Sequence, residues 1–94
     1  MFDDLAWLIT RHTVPGSVEE WRWRQYGIWG RWWDYVIEAG GLEDGRWYVR
    51  RLHHDIGGPW RAQLYATGAD AFAVAKAVQA AAAPELTAAG YREL

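Results

Sequence analysis

The sequence predicts an α+β fold: a short N-terminal helix, a three- to four-stranded antiparallel meander, and an alanine-rich C-terminal helix packed on one face of the sheet. Three observations lead there. Residues 31–39 and 60–66 alternate apolar and polar side chains with the two-residue period of a strand. The segments between strands, Glu43-Asp44-Gly45 and Asp55-Ile56-Gly57-Gly58, have the composition of hairpin loops. From Thr67 onward the apolar residues recur at helical spacing instead. At 94 residues the chain is long enough for one core and too short for two, so residues 1–94 are read as a single domain.

Asp3 is placed to cap a first helix in which Leu5, Leu8, Ile9 and His12 form one stripe, with Phe2 and Trp7 as the two halves of a hydrophobic staple. Thr13 to Ser17 ends that helix, because Pro15 and Gly16 are turn residues. Val18 to Trp29 carries two patterns at once. The alternation Trp21-Arg22-Trp23-Arg24 has the period of a strand, while Ser17 with Glu20 matches a capping box and Glu20 sits four residues before Arg24. Strand is the favoured reading. Gly27 and Gly30 interrupt it, and Arg31 to Ala39 then places Trp33, Tyr35 and Ile37 on one side with Asp34 and Glu38 on the other.

Gly45 suits the left-handed position of a type I turn with a bulge, and that turn sets the register of its hairpin. Leu42 is expected opposite Arg46, Glu38 opposite Arg50, Val36 opposite Leu52 and Asp34 opposite His54. Trp47 is expected across from Gly41, where a ring covers bare backbone. For the next hairpin the loop length places Val49 opposite Leu64 and Tyr48 opposite Tyr65. The last helix starts at Thr67 and Asp70 and runs to about Ala83, with Ala71, Val74, Ala75, Val78, Ala81 and Ala82 facing inward and Phe72 flanking them. Pro84 is expected to stop it, leaving one short final turn of helix closed by Gly90.

These registers put Trp33, Tyr35, Ile37, Trp47, Val49, Trp60 and Leu64 beneath the helix, where burial contributes roughly 1.5–3 kcal/mol per large side chain. The opposite face then combines Trp32, Val36, Tyr48, Leu52 and Tyr65 with Arg50, Arg61, Asp34 and Glu38. An antiparallel sheet can leave one face in water, but such a face is normally polar. This one is half apolar. Either the N-terminal helix and the Trp21/Trp23 segment cover it, or part of it stays open as a contact surface.

Composition narrows the chemistry. The chain has no cysteine, which excludes disulfides and thiolate metal sites and points to a reducing compartment. Its start, MFDDLAWLITRH, lacks the positive charge of a signal peptide, and its apolar run is too short to span a bilayer, so a soluble cytoplasmic protein without membrane partners is expected. Arginine outnumbers lysine nine to one and there are fifteen alanines, a bias of the kind produced by GC-rich coding. His53 and His54 are adjacent in a strand and point to opposite faces, so no metal site is expected from them. Asp55-Ile56-Gly57-Gly58 lacks the helix N-terminus or lysine of a phosphate loop. One serine, Ser17, and carboxylates paired only as sequence neighbours leave no catalytic constellation. No catalytic residue and no cofactor is therefore expected.

Arginines interleaved with aromatics, as in Trp21-Arg22-Trp23-Arg24 and Trp47-Tyr48-Val49-Arg50-Arg51, suit either protein docking or single-stranded nucleic acid. The helix, three strands, helix order with Gly58-Pro59-Trp60 before the last strand resembles a double-stranded RNA-binding domain in element order alone. Such domains carry a lysine cluster at the start of the last helix. The matching stretch here is Gly68-Ala69-Asp70-Ala71-Phe72, and the sole lysine, Lys76, comes later. With a net charge of −2, and with Glu19, Glu20, Asp34, Glu38, Glu43 and Asp44 among the arginines, nucleic acid ranks second. The leading expectation is a non-enzymatic protein-interaction module, an accessory or host-interacting protein of a GC-rich bacterium or its phage. It would bind a protein partner or a second copy of itself through an aromatic and arginine surface on the outer sheet face and the 21–32 segment, with Trp32, Tyr48, Arg50, Arg61 and Tyr65 as the leading residues and Trp21 and Trp23 next.

Overall fold

The computed structural model describes residues 4–53 and 61–94. Helix α1 (Asp4–His12) leads into β1 (Glu19–Tyr26), β2 (Trp32–Gly41), β3 (Trp47–His53) and β4 (Arg61–Tyr65). Helix α2 (Gly68–Ala88) follows, and a two-residue strand β5 (Arg92–Glu93) ends the chain. All strands join one antiparallel sheet in the order β4-β3-β2-β1-β5. The α+β expectation holds, with four meandering strands and an added fifth at the edge. Among the described residues no helix is long and apolar enough to cross a membrane. The Asp3 cap, the Phe2 half of the staple, His54, Trp60 and the 55–58 loop lie outside the described residues.

Residues 19–26 form a strand because alternation wins over the capping-box pattern. Ser17 caps no helix; its hydroxyl donates to the Val14 carbonyl at 2.7 Å and accepts the Gly41 amide at 2.9 Å. The β2–β3 hairpin has the expected turn, with Gly45 at φ +89° and its amide donating to Leu42. Its register is also as expected, pairing Val36 with Leu52, Glu38 with Arg50 and Gly41 with Trp47. The Trp47 ring lies against both Gly41 and Gly68, where an added Cβ would come within 3.3 and 3.0 Å of it, and it meets Phe72 edge-on at 5.6 Å.

The β3–β4 register differs from expectation by one residue: Trp47 pairs with Tyr65, Tyr48 with Leu64 and Val49 with Gln63. Because side chains alternate, that slip turns the whole of β4 over. Tyr65 joins the core beneath α2, while Leu64 and Ala62 face the other way and pack with Ile9, Leu42 and Tyr48. The sheet therefore has two covered faces. Helix α2 covers Trp23, Ile37, Ala39 and Val49, and its alanines Ala71 and Ala75 are fully buried against them. Helix α1 covers the far end of the opposite face through Leu8 and Ile9.

Thr67 caps α2 by accepting the Asp70 amide at 3.2 Å. Pro84 does not stop the helix, which continues to Ala88. Pro84 is on the exposed side, whereas Ala82, Ala83 and Leu86 pack against the core, and that burial outweighs the lost backbone bond. The true end is a Schellman motif: Gly90 at φ +94° donates to Thr87 and Tyr91 donates to Leu86 at 2.9 Å. It turns the chain back so that β5 pairs with Trp23 and Arg24 of β1.

Candidate functional site

The face of the sheet away from α2 is a ladder of paired charges ending in an aromatic tip. Along it, Tyr26 faces Trp32, Arg24 faces Asp34, Arg22 faces Val36, and Glu38 faces Arg50. Asp34 is only 2% exposed and accepts from both arginines of β1: Arg22 Nη1 at 2.7 Å, Arg24 Nε at 2.8 Å and Arg24 Nη2 at 3.1 Å. The hydrogen bonds from Arg24, then those from Arg22, hold its carboxyl below the usual carboxylate range in spite of burial. Glu38 pairs with Arg50 and accepts the Tyr48 hydroxyl at 3.1 Å. Burial, reinforced by the Glu38 charge, pushes the Tyr48 hydroxyl up to about 12. Tyr48 also lies flat across Gly40, where a Cβ would stand 2.8 Å from its hydroxyl oxygen.

Beyond Asp34 the ladder runs out into the β1–β2 hairpin tip. Here Trp29 is 91% exposed, Ile28 75%, Tyr26 64% and Trp32 52%. Taking about 150–250 Å² per aromatic side chain, the three aromatics present roughly 300–500 Å² of open surface and Ile28 adds to it, comparable with the largest patch a typical monomer carries. The turn itself is unusual. Trp29 (φ 62°, ψ 28°) and Gly30 (φ 72°) are successive left-handed residues, and Arg31 donates its amide to Ile28 at 3.3 Å, the pattern of a type I′ turn. Glycine, asparagine or aspartate normally fills the first of those positions, because a side chain with a Cβ costs roughly 1–2 kcal/mol there. Trp29 occupies it while packing almost nothing.

The tip is nonetheless held firmly. Trp33 lays its ring over Gly27, so closely that an added Cβ would stand 2.3 Å from it, and Gly27 donates its amide to Arg31 at 2.8 Å. Trp33, expected in the core, is thus half-buried and supports the hairpin instead. Arg24 sits 5.1 Å over the Trp32 ring while its guanidinium is anchored on Asp34. Comparison with known protein families, curated proteins and solved structures gives no match.

The sequence-expected binding residues do not form one surface. Trp32 stands at the tip and is exposed. Tyr48 is buried, and Arg50 is 15% exposed in its side chain and ion-paired with Glu38. Trp23 is fully buried beneath α2, with Trp21 and Tyr65 packed beside it in the same core. Arg61 is the register partner of Arg51. Of the two alternatives for this face, α1 covers one end through Leu8 and Ile9, ion pairs occupy the middle, and the open aromatics are at the other end. Tyr26, Ile28, Trp29 and Arg31 lie inside the 21–32 segment expected to contribute to the surface, but are not among the residues the sequence singles out. Their signal was a Trp-Gly pair between two alternating strands, in the place where a type I′ turn wants Asn-Gly. Among the described residues no group of three or more His, Cys, Asp or Glu side chains is arranged to hold a metal.

Proposed function

We propose that the domain is a non-enzymatic protein-interaction module that docks through its β1–β2 hairpin tip, with Trp29 as the anchor and Ile28, Tyr26 and Trp32 around it. The observation that carries this reading is a left-handed tryptophan left 91% exposed at the tip of a hairpin turn. Strained residues with no folding reason gather at binding sites, and buried tryptophans flanked by arginine dominate the energetics of interfaces. The titratable side chains of the sheet face support a non-enzymatic role, since Asp34, Glu38, Arg22, Arg24 and Arg50 are committed to one another.

The same pairings favour a protein over nucleic acid. Phosphate tracking needs free cations along the route, and the arginines of this face are already neutralised. From Gln25 to Trp33 the tip holds no acid, and Arg31 is exposed without an ion pair among the described residues. A convex, apolar, singly cationic tip fits a concave apolar pocket rimmed by carboxylates. The setting is the cytoplasm, to which the cysteine-free composition points, and the role is that of an accessory protein of a GC-rich bacterium or phage.

A photoactivatable residue at position 28 tests the reading in producing cells. A polypeptide adduct that survives nuclease and disappears when Trp29→Asn is added is the expected result. A nuclease-sensitive or lipid adduct, or one indifferent to Trp29→Asn, overturns it.

A further inference from the structure

The far end of the sheet carries a pocket with the features the tip calls for. It is a hollow of about 340 Å³ between α1 and the β2–β3 hairpin, lined among the described residues by Leu8, His12, Glu43 and Asp44. That volume is within the range of pockets that accept a compact ligand, about 300–1,000 Å³. Its walls are fixed to each other by backbone bonds. Val14 donates to Gly41 at 2.8 Å, Glu43 donates to His12 at 2.9 Å, and Thr13 bridges Leu42. Trp7, 56% exposed, stands edge-on to His12 at 5.4 Å.

We propose that the occupant of this pocket is the hairpin tip of a second copy of the chain, so that copies associate head to tail. The proposal rests on the reading of the tip as the docking element, and names its partner. Three matches argue for it. In shape, one site is a protruding turn and the other a hollow. In polarity, Trp29 and Ile28 meet Leu8. In charge, Arg31 meets Glu43 and Asp44, whose side chains are 60% and 43% exposed. Both carboxylates have partners already, Glu43 with His12 at 3.1 Å and Asp44 with Arg46 at 2.6 Å, but these are exposed pairs that an incoming guanidinium can share at little cost.

The geometry decides the kind of assembly. Tip and pocket lie at opposite ends of β2, ten residues and about 30 Å apart. Two different patches make a heterologous contact, which repeats until a ring closes or else continues as a filament. An isologous dimer uses one patch twice and stops at two.

Sedimentation velocity over a concentration series separates these cases. The wild-type mass rises with concentration. Trp29→Asn at the tip and Glu43→Lys at the pocket, each checked for folding by circular dichroism, weaken self-association about thirty-fold, as expected for loss of an anchor. Mixed in equal amounts, the two variants retain one good tip and one good pocket between them, and give a dimer that grows no further. Arg31→Glu also weakens association alone, and Glu43→Lys restores it in the mixture. A wild-type protein that stays monomeric, an association indifferent to Glu43→Lys, or a mixture that remains monomeric overturns the proposal. If the wild type is monomeric while position 28 still cross-links to a different polypeptide, head-to-tail assembly falls and the docking reading stands.

Discussion

Replacing Trp29 by asparagine separates a folding role from a docking role, because the two predict opposite signs. The indole is 91% exposed, so of the roughly 1.5–3 kcal/mol that burial of such a side chain would contribute, only about 0.2 kcal/mol is lost on removal. Against that stands relief of backbone strain. At φ 62° and ψ 28° a tryptophan costs roughly 1–2 kcal/mol, whereas asparagine visits this region with ease and Asn-Gly is a preferred pair for a type I′ turn. The net is a gain of about 1 kcal/mol, or a melting temperature about 4–8 °C higher for a domain of this size. Urea unfolding and a thermal scan measure it directly, provided the protein is dilute enough to be monomeric. Trp29→Asn should therefore make the monomer more stable while removing its ability to dock. A loss of stability greater than about 1 kcal/mol would mean that Trp29 is held by the fold, and the assignment of the tip to a partner would fail.

Four other outcomes follow from the same structure. Asp34→Asn should destabilise by about 3 kcal/mol, since it strips the shared carboxylate from Arg22 and Arg24. Because the folded Asp34 carboxyl lies below its unfolded value, its contribution is present above about pH 4 and is lost as pH falls through the folded value; denaturant titrations from pH 5 downward should show a flatter decline in Asp34→Asn than in wild type. Tyr48 runs the other way: its hydroxyl is raised from about 10 to about 12, so stability from this group is intact below pH 10 and declines by about 2–3 kcal/mol as pH rises to 12, a decline that Tyr48→Phe should remove. Gly40→Ala should cost about 1–3 kcal/mol by pushing Tyr48 off Glu38, readable in a urea midpoint. Pro84→Ala should stabilise by about 2 kcal/mol, because the helix already runs through that position and would regain a backbone bond.

Local rules carried the parts of the fold that local chemistry decides. The Glu43-Asp44-Gly45 turn can form in only one way with its flanking alternation, so the β2–β3 register followed from it down to Val36 and Leu52. The Trp21-Arg22-Trp23-Arg24 alternation likewise outweighed the Ser17 cap pattern. The β3–β4 register was misjudged because both faces of the sheet are covered. When α2 shields one side and α1 the other, Leu64 and Tyr65 can each be the inward residue, and apolar alternation no longer tells them apart. That one slip is what placed Tyr65 on the wrong face.

Pro84 was read as a stop because its local penalty is visible in sequence, while the packing of Leu86 that offsets it is not. Strand β5 is two residues long and is created by the Gly90 turn aiming the chain at β1, which composition does not display. The tip was half legible. The 21–32 segment is legible as part of a contact surface and Trp32 stands out for its place in an alternating strand, but Ile28 and Trp29 lie between Gly27 and Gly30, where the informative fact is the conformation a tryptophan is forced to adopt.

The central claim is that the tip aromatics are open in the monomer and closed by a protein partner. Fluorine NMR of protein labelled with fluorotryptophan, with the resonance of Trp29 assigned by its absence in Trp29→Asn, tests this most directly through the solvent isotope shift. The account predicts a full shift for Trp29 and none for Trp23 in the dilute monomer, with the Trp29 shift vanishing as the bound form accumulates. Equal shifts for the two residues in the monomer, or a Trp29 shift that persists in the bound form, would contradict it.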